Sequence, residues 1–186
     1  MGRTLEDIQD ELLVLQSQEG DADAMKTLIA RWQPRLGRLA WRLTGERETA
    51  QDIVQDVWLA IVRGLKRLDD PARFRSWAYR IVSNKCADWT RRRVVQRSVA
   101  EDLRDGVATT PGGPSNETDS ESEVARMRGA LTKLPHEQRA ILSLHYLDGM
   151  SVKEIGRALN VPAGTVKSRL YHARNRLKQV LERVET

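Results

Sequence analysis

The chain has 186 residues, room for one ordinary domain or two small ones, and at 40% hydrophobic and 31% charged it has the composition of a globular protein. Its single cysteine, Cys86, excludes an internal disulfide framework and a multi-cysteine zinc site. No N-terminal apolar run suits a signal peptide, and no segment reaches the roughly 18 apolar residues that span a bilayer, so a cytoplasmic protein without membrane insertion is expected. The net charge of +5 is uneven: −5 over residues 1–21, +2 over 22–70, +7 over 71–100, −6 over 101–125 and +7 over 126–186. Two basic blocks flank an acidic one, the footprint of either solvated surfaces or nucleic-acid contacts.

Residues 1–20 form an acidic amphipathic extension, with Leu5, Ile8, Leu12 and Leu15 on one helical face beside Glu6, Asp7, Asp10 and Glu11. It is either a regulatory arm packed on the basic segment that follows or simply extra helix. A first module spans 21–95. Asp21 or Asp23 caps a helix carrying Met25, Leu28, Ile29, Trp32, Leu36, Leu39, Ala40 and Leu43, in which Pro34 is expected to cause a bend. A second helix from about Glu46 directs Ala50, Ile53, Val54, Val57, Trp58, Ile61, Val62, Leu65 and Leu68 toward a core. Its opposite side aligns Asp52, Gln55, Asp56 and Leu59 at i, i+3, i+4, i+7. That stripe is an ordinary wet face or a docking surface for a basic partner; as a metal site it lacks further ligands.

A third helix, Ala72 to about Arg93, has Phe74, Trp77, Ala78, Ile81, Val82, Cys86 and Trp89 on its apolar side. Its other faces carry Arg73, Arg75, Tyr79, Arg80, Ser83, Asn84, Lys85, Asp88 and Arg91-Arg92-Arg93. Cations for phosphates, rings for unstacked bases and amides for base edges together suit an unpaired strand, each aromatic platform contributing about 1–3 kcal/mol per base. Trp77 and Trp89 also fit as pure core.

Residues 96–124 read as a flexible acidic linker, since Thr109-Thr110-Pro111-Gly112-Gly113-Pro114 and Asp119-Ser120-Glu121-Ser122-Glu123 offer nothing apolar to bury. A second module, 125–186, begins with helices at Val124–Leu134 and His136–Leu147. Ser151 then caps a short helix with Glu154 as its capping-box partner, and Val152, Ile155 and Leu159 face inward. Gly156 stands where two backbones approach, Asn160 tolerates a left-handed turn, and a basic helix from Ala163 buries Val166, Leu170, Ala173 and Leu177. This is a helix-turn-helix, whose second helix fits a major groove about 12 Å wide. The expected fold is all-α: two small helical domains joined by a flexible acidic linker, the second a helix-turn-helix.

Five strings, in order, resemble one family: Gly20-Asp21-Ala22-Asp23-Ala24, Ala50-Gln51-Asp52-Ile53-Val54-Gln55-Asp56-Val57-Trp58, Phe74-Arg75-Ser76-Trp77-Ala78-Tyr79-Arg80, Leu134-Pro135-His136-Glu137-Gln138-Arg139, and Ile155-Gly156-Arg157-Ala158-Leu159-Asn160-Val161-Pro162 running on to Leu170. The chain resembles the extracytoplasmic-function (ECF) RNA polymerase sigma factors of the sigma-70 family. The resemblance implies a factor that binds core RNA polymerase and directs promoter recognition, melting and initiation in a stress or signal response, with no catalytic residue, metal or cofactor of its own. It implies that Asp52, Gln55, Asp56 and Leu59 dock on the polymerase beta-prime clamp helices. Arg73, Arg75, Trp77, Tyr79, Arg80, Asn84, Lys85 and Arg91, with the loop from Leu68, would engage the single-stranded minus-ten element. Thr165, Lys167, Ser168, Arg169 and Tyr171 would read the duplex minus-thirty-five element, with Arg174 and Arg176 on phosphates. The acidic linker corresponds to the family's connector through the RNA exit path, and an anti-sigma factor is an expected partner. Gly156 departs from the family's usual alanine, at a helix-propensity cost of about 1 kcal/mol.

Two rivals stand beside this. A helix-turn-helix regulator would bind duplex operator without polymerase. A metal-dependent nuclease using Asp52 and Asp56 would need a histidine, yet His136, His145 and His172 occur singly, without paired ligand spacing.

Overall fold

The computed structural model describes residues 4–102, 126–127 and 129–183, and among them the chain is helical with no strand. The helices are α1 (Leu5–Glu19), α2 (Ala22–Thr44), α3 (Arg47–Gly64), α4 (Phe74–Asp102), α5 (His136–Leu142), α6 (Val152–Leu159) and α7 (Ala163–Glu182), with a helical segment at 129–132 before α5. Helix α4 runs past residue 96, where the linker was expected to begin. The rest of that expected linker, from 103 to 124, lies outside the described residues.

Local chemistry sets the helix ends. The Thr4 hydroxyl accepts from the Asp7 amide at 3.1 Å and the Asp7 carboxylate accepts from the Thr4 amide at 2.9 Å, opening α1 with a capping box. These bonds hold the Asp7 carboxyl below its usual range. Gly20, at φ 101°, closes α1, and Asp21 opens α2 by accepting from the amides of Asp23 and Ala24 at 2.8 and 3.0 Å. Helix α2 continues through Pro34.

The amphipathic extension does pack on the first module, though with a different face from the one its leucines suggest. Asp10, Val14 and Ser17 are buried, while Leu5, Ile8, Leu12 and Leu15 are exposed. Polar anchors decide this orientation: Arg31 donates to Asp10 at 2.8 Å, Arg35 to Glu6 at 2.9 Å, and Gln18 to the carbonyls of Leu65 and Leu68 at 2.8 Å each. Those two carbonyls belong to the turn after α3, so α1 satisfies acceptors there.

Trp32 forms the aromatic centre of the first module, edge-on to Phe74 at 5.1 Å and to Tyr79 at 5.8 Å. Around it Leu28, Leu36, Leu39, Leu43, Val57, Ile61 and Val82 are buried, as the spacing predicts. At about 1.5–3 kcal/mol for each large side chain removed from water, this cluster dominates the module's stability. Val62, expected in the core stripe, is instead exposed at the edge of α3. Cys86 is fully buried, and desolvation pushes its thiol up to about 12, which leaves it an inert core residue.

In the second module, Ser151 and Glu154 form the expected capping box, with bonds of 3.3 and 2.8 Å. Asn160 takes the left-handed conformation at φ 54°, ψ 48°. A side chain at Gly156 would put its Cβ 2.9 Å from the Val161 carbonyl oxygen, so this glycine is required by the closeness of the turn. Ile155, Ala158, Val166, Leu170 and Ala173 seal the two helices together. Helix α5 ends in a wide turn in which the Asp148 amide donates to the Ser143 carbonyl at 3.0 Å, a five-residue step. Gly149, at φ 62°, then reverses the chain.

Asn160→Val is expected to destabilise the protein by about 1–2 kcal/mol, the cost of a branched residue in left-handed geometry, while Asn160→Gly stays near wild type. Urea unfolding of both variants followed by circular dichroism checks this.

Candidate nucleic-acid interface

Helix α7 presents one polar face. Lys167, Ser168, Tyr171, Arg174 and Arg176 are exposed, and Thr165 and Arg169 are half-buried. The Ser168 hydroxyl donates to the Thr165 carbonyl at 3.0 Å, and Arg169 pairs with Glu137 at 3.0 Å. Tyr146, exposed beside this face, accepts from Arg174 at 3.4 Å and stacks edge-on with His145. The sequence offered no signal for Tyr146, which lies within the helix predicted over 136–147 and carries no motif. Seven of the residues expected to touch duplex DNA are thus on one helix, with their cations available to an anionic ligand.

Helix α4 divides differently from expectation. Arg73, Arg80, Asn84 and Arg91 are exposed, and Trp77 and Lys85 are half-buried. Tyr79 and Ser83, read as outward, are buried at 2% and 4% exposure. The physical reason is a second covering layer: α6 of the helix-turn-helix packs against α4, and α5 packs against α2. The Asp148 side chain, 5% exposed, accepts from Arg42 at 2.6 Å and from the Tyr79 hydroxyl at 3.2 Å. Arg75 donates to the Asp148 backbone carbonyl and lies 3.8 Å from Glu154. Desolvation, reinforced by the Asp148 charge, raises the Tyr79 phenol above its ordinary value. Arg139 completes the junction: it donates to the Leu43 carbonyl at 2.7 Å, one of the unsatisfied acceptors at the end of α2, and to the Thr132 carbonyl at 2.7 Å. Arg42, Arg139 and Asp148 were not legible as a set, because their spacing crosses the two modules.

A third surface is acidic. Asp52, Gln55, Asp56 and Leu59 are all exposed and share one side of α3. Lys85 reaches across to Asp56 at 3.2 Å, an exposed pair of the kind that contributes at most about 1 kcal/mol and exchanges readily. Where α3 gives way to α4, a pocket of about 310 Å³ is lined by Gly64, Arg67, Leu68, Asp69, Asp70, Arg73 and Trp77. The Trp77 ring crosses Gly64 so closely that a Cβ there would meet it at 2.9 Å. Arg73 is steadied by Asp70 at 3.1 Å and Arg91 by Asp88, both exposed pairs.

Among the described residues, no three His, Cys, Asp or Glu side chains gather as metal ligands, and no helix is long and apolar enough to cross a membrane.

A helical protein with a cationic helix-turn-helix and a second basic helix beside an acidic stripe has the surfaces of a DNA-binding regulator. Residues 28–95 match the Sigma-70 region 2 family and residues 125–177 match Sigma-70, region 4. The chain is 30% identical over 177 residues to the ECF RNA polymerase sigma-E factor of Escherichia coli (strain K12), covering 91% of this chain and 92% of that one. It is 33% identical over 167 residues to the ECF RNA polymerase sigma factor SigE of Mycolicibacterium smegmatis, covering 87% of this chain but 64% of the longer relative. A solved structure of CnrH in complex with the cytosolic domain of CnrY matches with a TM-score of 0.70 and 27% identity, over 94% of this chain and 97% of that one. The chain belongs to the ECF RNA polymerase sigma factors, and it acts in transcription initiation.

His136, the first residue of α5, is largely buried, and burial followed by the neighbouring Arg139 charge lowers its pKa from 6.5. The folded state therefore resists protonation that the unfolded chain accepts, so stability falls as pH drops below about 6.5 toward the depressed folded value. His136→Gln is expected to flatten that loss, measured as the thermal midpoint between about pH 8 and pH 5.

Proposed function

We propose that this sigma factor divides a promoter between its modules, holding one element as duplex and the other as an opened strand. In this assignment residues 125–186 form sigma domain 4, whose Thr165, Lys167, Ser168, Arg169 and Tyr171 read the minus-thirty-five element while Arg174 and Arg176 hold phosphates. Residues 21–95 form sigma domain 2, with Arg73, Arg75, Trp77, Tyr79, Arg80, Asn84, Lys85 and Arg91 on the melted minus-ten strand. The pocket beside Trp77 takes one unstacked base, flanked by an aromatic edge and the Arg73 and Arg67 cations. Asp52, Gln55, Asp56 and Leu59 dock on the beta-prime clamp helices, whose surface must be basic to match them. Residues 96–124 serve as the acidic connector between the domains.

The observation that carries this division is the exposure of three chemically distinct helical faces: the acidic stripe of α3, the basic rim of α4 and the polar face of α7. Duplex grip fixes register, and preferential binding of the opened strand stabilises melting by differential affinity. Bond-making is left to the polymerase, so the factor itself is not an enzyme and works in the cytoplasm, in a stress or signal response. CnrH is held by the cytosolic domain of CnrY in its solved complex; by analogy, an anti-sigma factor is expected to cover these same faces here.

Pull-down of core polymerase followed by run-off transcription on a promoter library tests the whole assignment, and initiation no better than with core alone overturns it. Asp56→Arg is expected to weaken core binding by about tenfold while leaving the fold intact. Arg176→Ala is expected to lower affinity for minus-thirty-five duplexes uniformly across sequences and reduce the salt-dependence slope by about 1, read by fluorescence anisotropy of the holoenzyme in a salt series.

A further inference from the structure

Helix α1 leaves an apolar seam open to solvent. Leu5, Ile8, Leu12 and Leu15 are 80%, 50%, 53% and 46% exposed, at spacings of three, four and three that alternate the a and d positions of a heptad. At about 3.6 residues per turn, the buried Asp10, Val14 and Ser17 fall on the opposite side, against α2. A second helix can therefore approach the seam from outside without displacing anything that holds α1 in place.

The order of side chains along the seam matches a copy of itself running the other way. An antiparallel pair with its two-fold axis at Leu12 sets Leu12 against Leu12, Ile8 against Leu15, and Gln9 beside Gln16. Amides both donate and accept, so Gln9 and Gln16 complement each other across such a pair, whereas a seam built for a different helix is marked by rows of charge at its flanks. At each end, Glu19 comes over the first turn of the other helix, where negative charge is favoured, and the two helix dipoles oppose. The acids already on that turn are engaged elsewhere, Glu6 by Arg35 and Asp7 by the cap at Thr4. Glu11 flanks the axis and meets its own copy, a like-charge contact that limits the strength of the pair.

We infer that the exposed seam of α1 is a self-association surface, through which two copies of the free factor pair antiparallel about Leu12. Such a pairing presents the same patch from both chains, so it closes at two copies and builds no filament. A patch of four large side chains per copy is small beside the roughly 1,000 Å² of a durable interface, so the dimer is weak and concentration-dependent. It uses none of the residues assigned to polymerase or promoter above and stands independently of that assignment.

The test uses the full chain, with every variant checked for cooperative unfolding. Sedimentation equilibrium from about 1 to about 500 µM chain spans the affinities open to a weak interface. Wild type should pass from monomer to dimer over that range. Leu12→Glu puts two charges on the axis at a position already exposed in the monomer, and should stay monomeric throughout; Leu12→Gln is the second variant should the charge disturb folding. The register is read by mild oxidative crosslinking, with wild type as control because its Cys86 is buried. Leu12→Cys should give a disulfide-linked dimer by itself, whereas Ile8→Cys and Leu15→Cys should crosslink only when the two are mixed. A monomer at every concentration overturns the inference, as does a dimer that survives in folded Leu12→Glu. Self-crosslinking of Ile8→Cys marks a parallel pair and overturns the register. If wild type stays monomeric while Leu12→Glu weakens binding to core polymerase, the seam belongs to the polymerase and the second copy is excluded.

Discussion

A carboxylate with 5% of its side chain exposed needs partners among packed helices, because removing one partner from a buried pair costs about 3–5 kcal/mol. Asp148 meets that requirement with Arg42, itself only 14% exposed, and with the Tyr79 hydroxyl. Much of how the two modules sit follows from this demand. Asp148 sits in the turn after α5, Arg42 on α2 and Tyr79 on α4, so satisfying the charge brings α6 onto α4 and α5 onto α2. Arg139, bonded to the Leu43 carbonyl, fixes the same approach from a second point.

Helix α4 shows how one element serves three masters. Its Phe74, Ala78, Val82 and Cys86 face the aromatic centre built on Trp32. Its Arg75 and Tyr79 face the other module, and its Arg80, Asn84 and Arg91 face solvent. A helix turns 3.6 residues at a time, so adjacent positions fall on different faces and one substitution can touch packing, junction or rim separately. The same division explains why an exposed basic rim coexists with a tyrosine whose phenol is desolvated.

Polar anchors also decide the seat of α1. Its four large apolar side chains form the more obvious stripe, yet the helix lies on α2 through Asp10, Val14 and Ser17. Asp10 pairs with Arg31 at 2.8 Å with 11% of its side chain exposed, whereas Lys26 and Asp23 pair at the same distance in open solvent. The second pair contributes little against the entropy of ordering two long side chains; the first is costly to break because it is shielded. Burial, more than distance, separates the ion pairs that hold this fold from those that decorate it.

Much of this was already readable in the linear order of residues. Helix ends at Asp21 and Ser151, the left-handed turn at Asn160, the close backbone approach at Gly156 and the core positions of α2, α3 and α7 all follow from local rules, since capping, chirality and 3.6-residue periodicity involve neighbours within a few positions. The acidic stripe of α3 and the polar face of α7 were legible for the same reason. The outward leucines of α1, the exposed Val62, the buried Tyr79 and Ser83, and the convergence of Arg42, Arg75 and Tyr79 on Asp148 were not. Each depends on which element arrives from elsewhere in the chain to cover a face, and periodicity says that a face exists without saying what will lie against it.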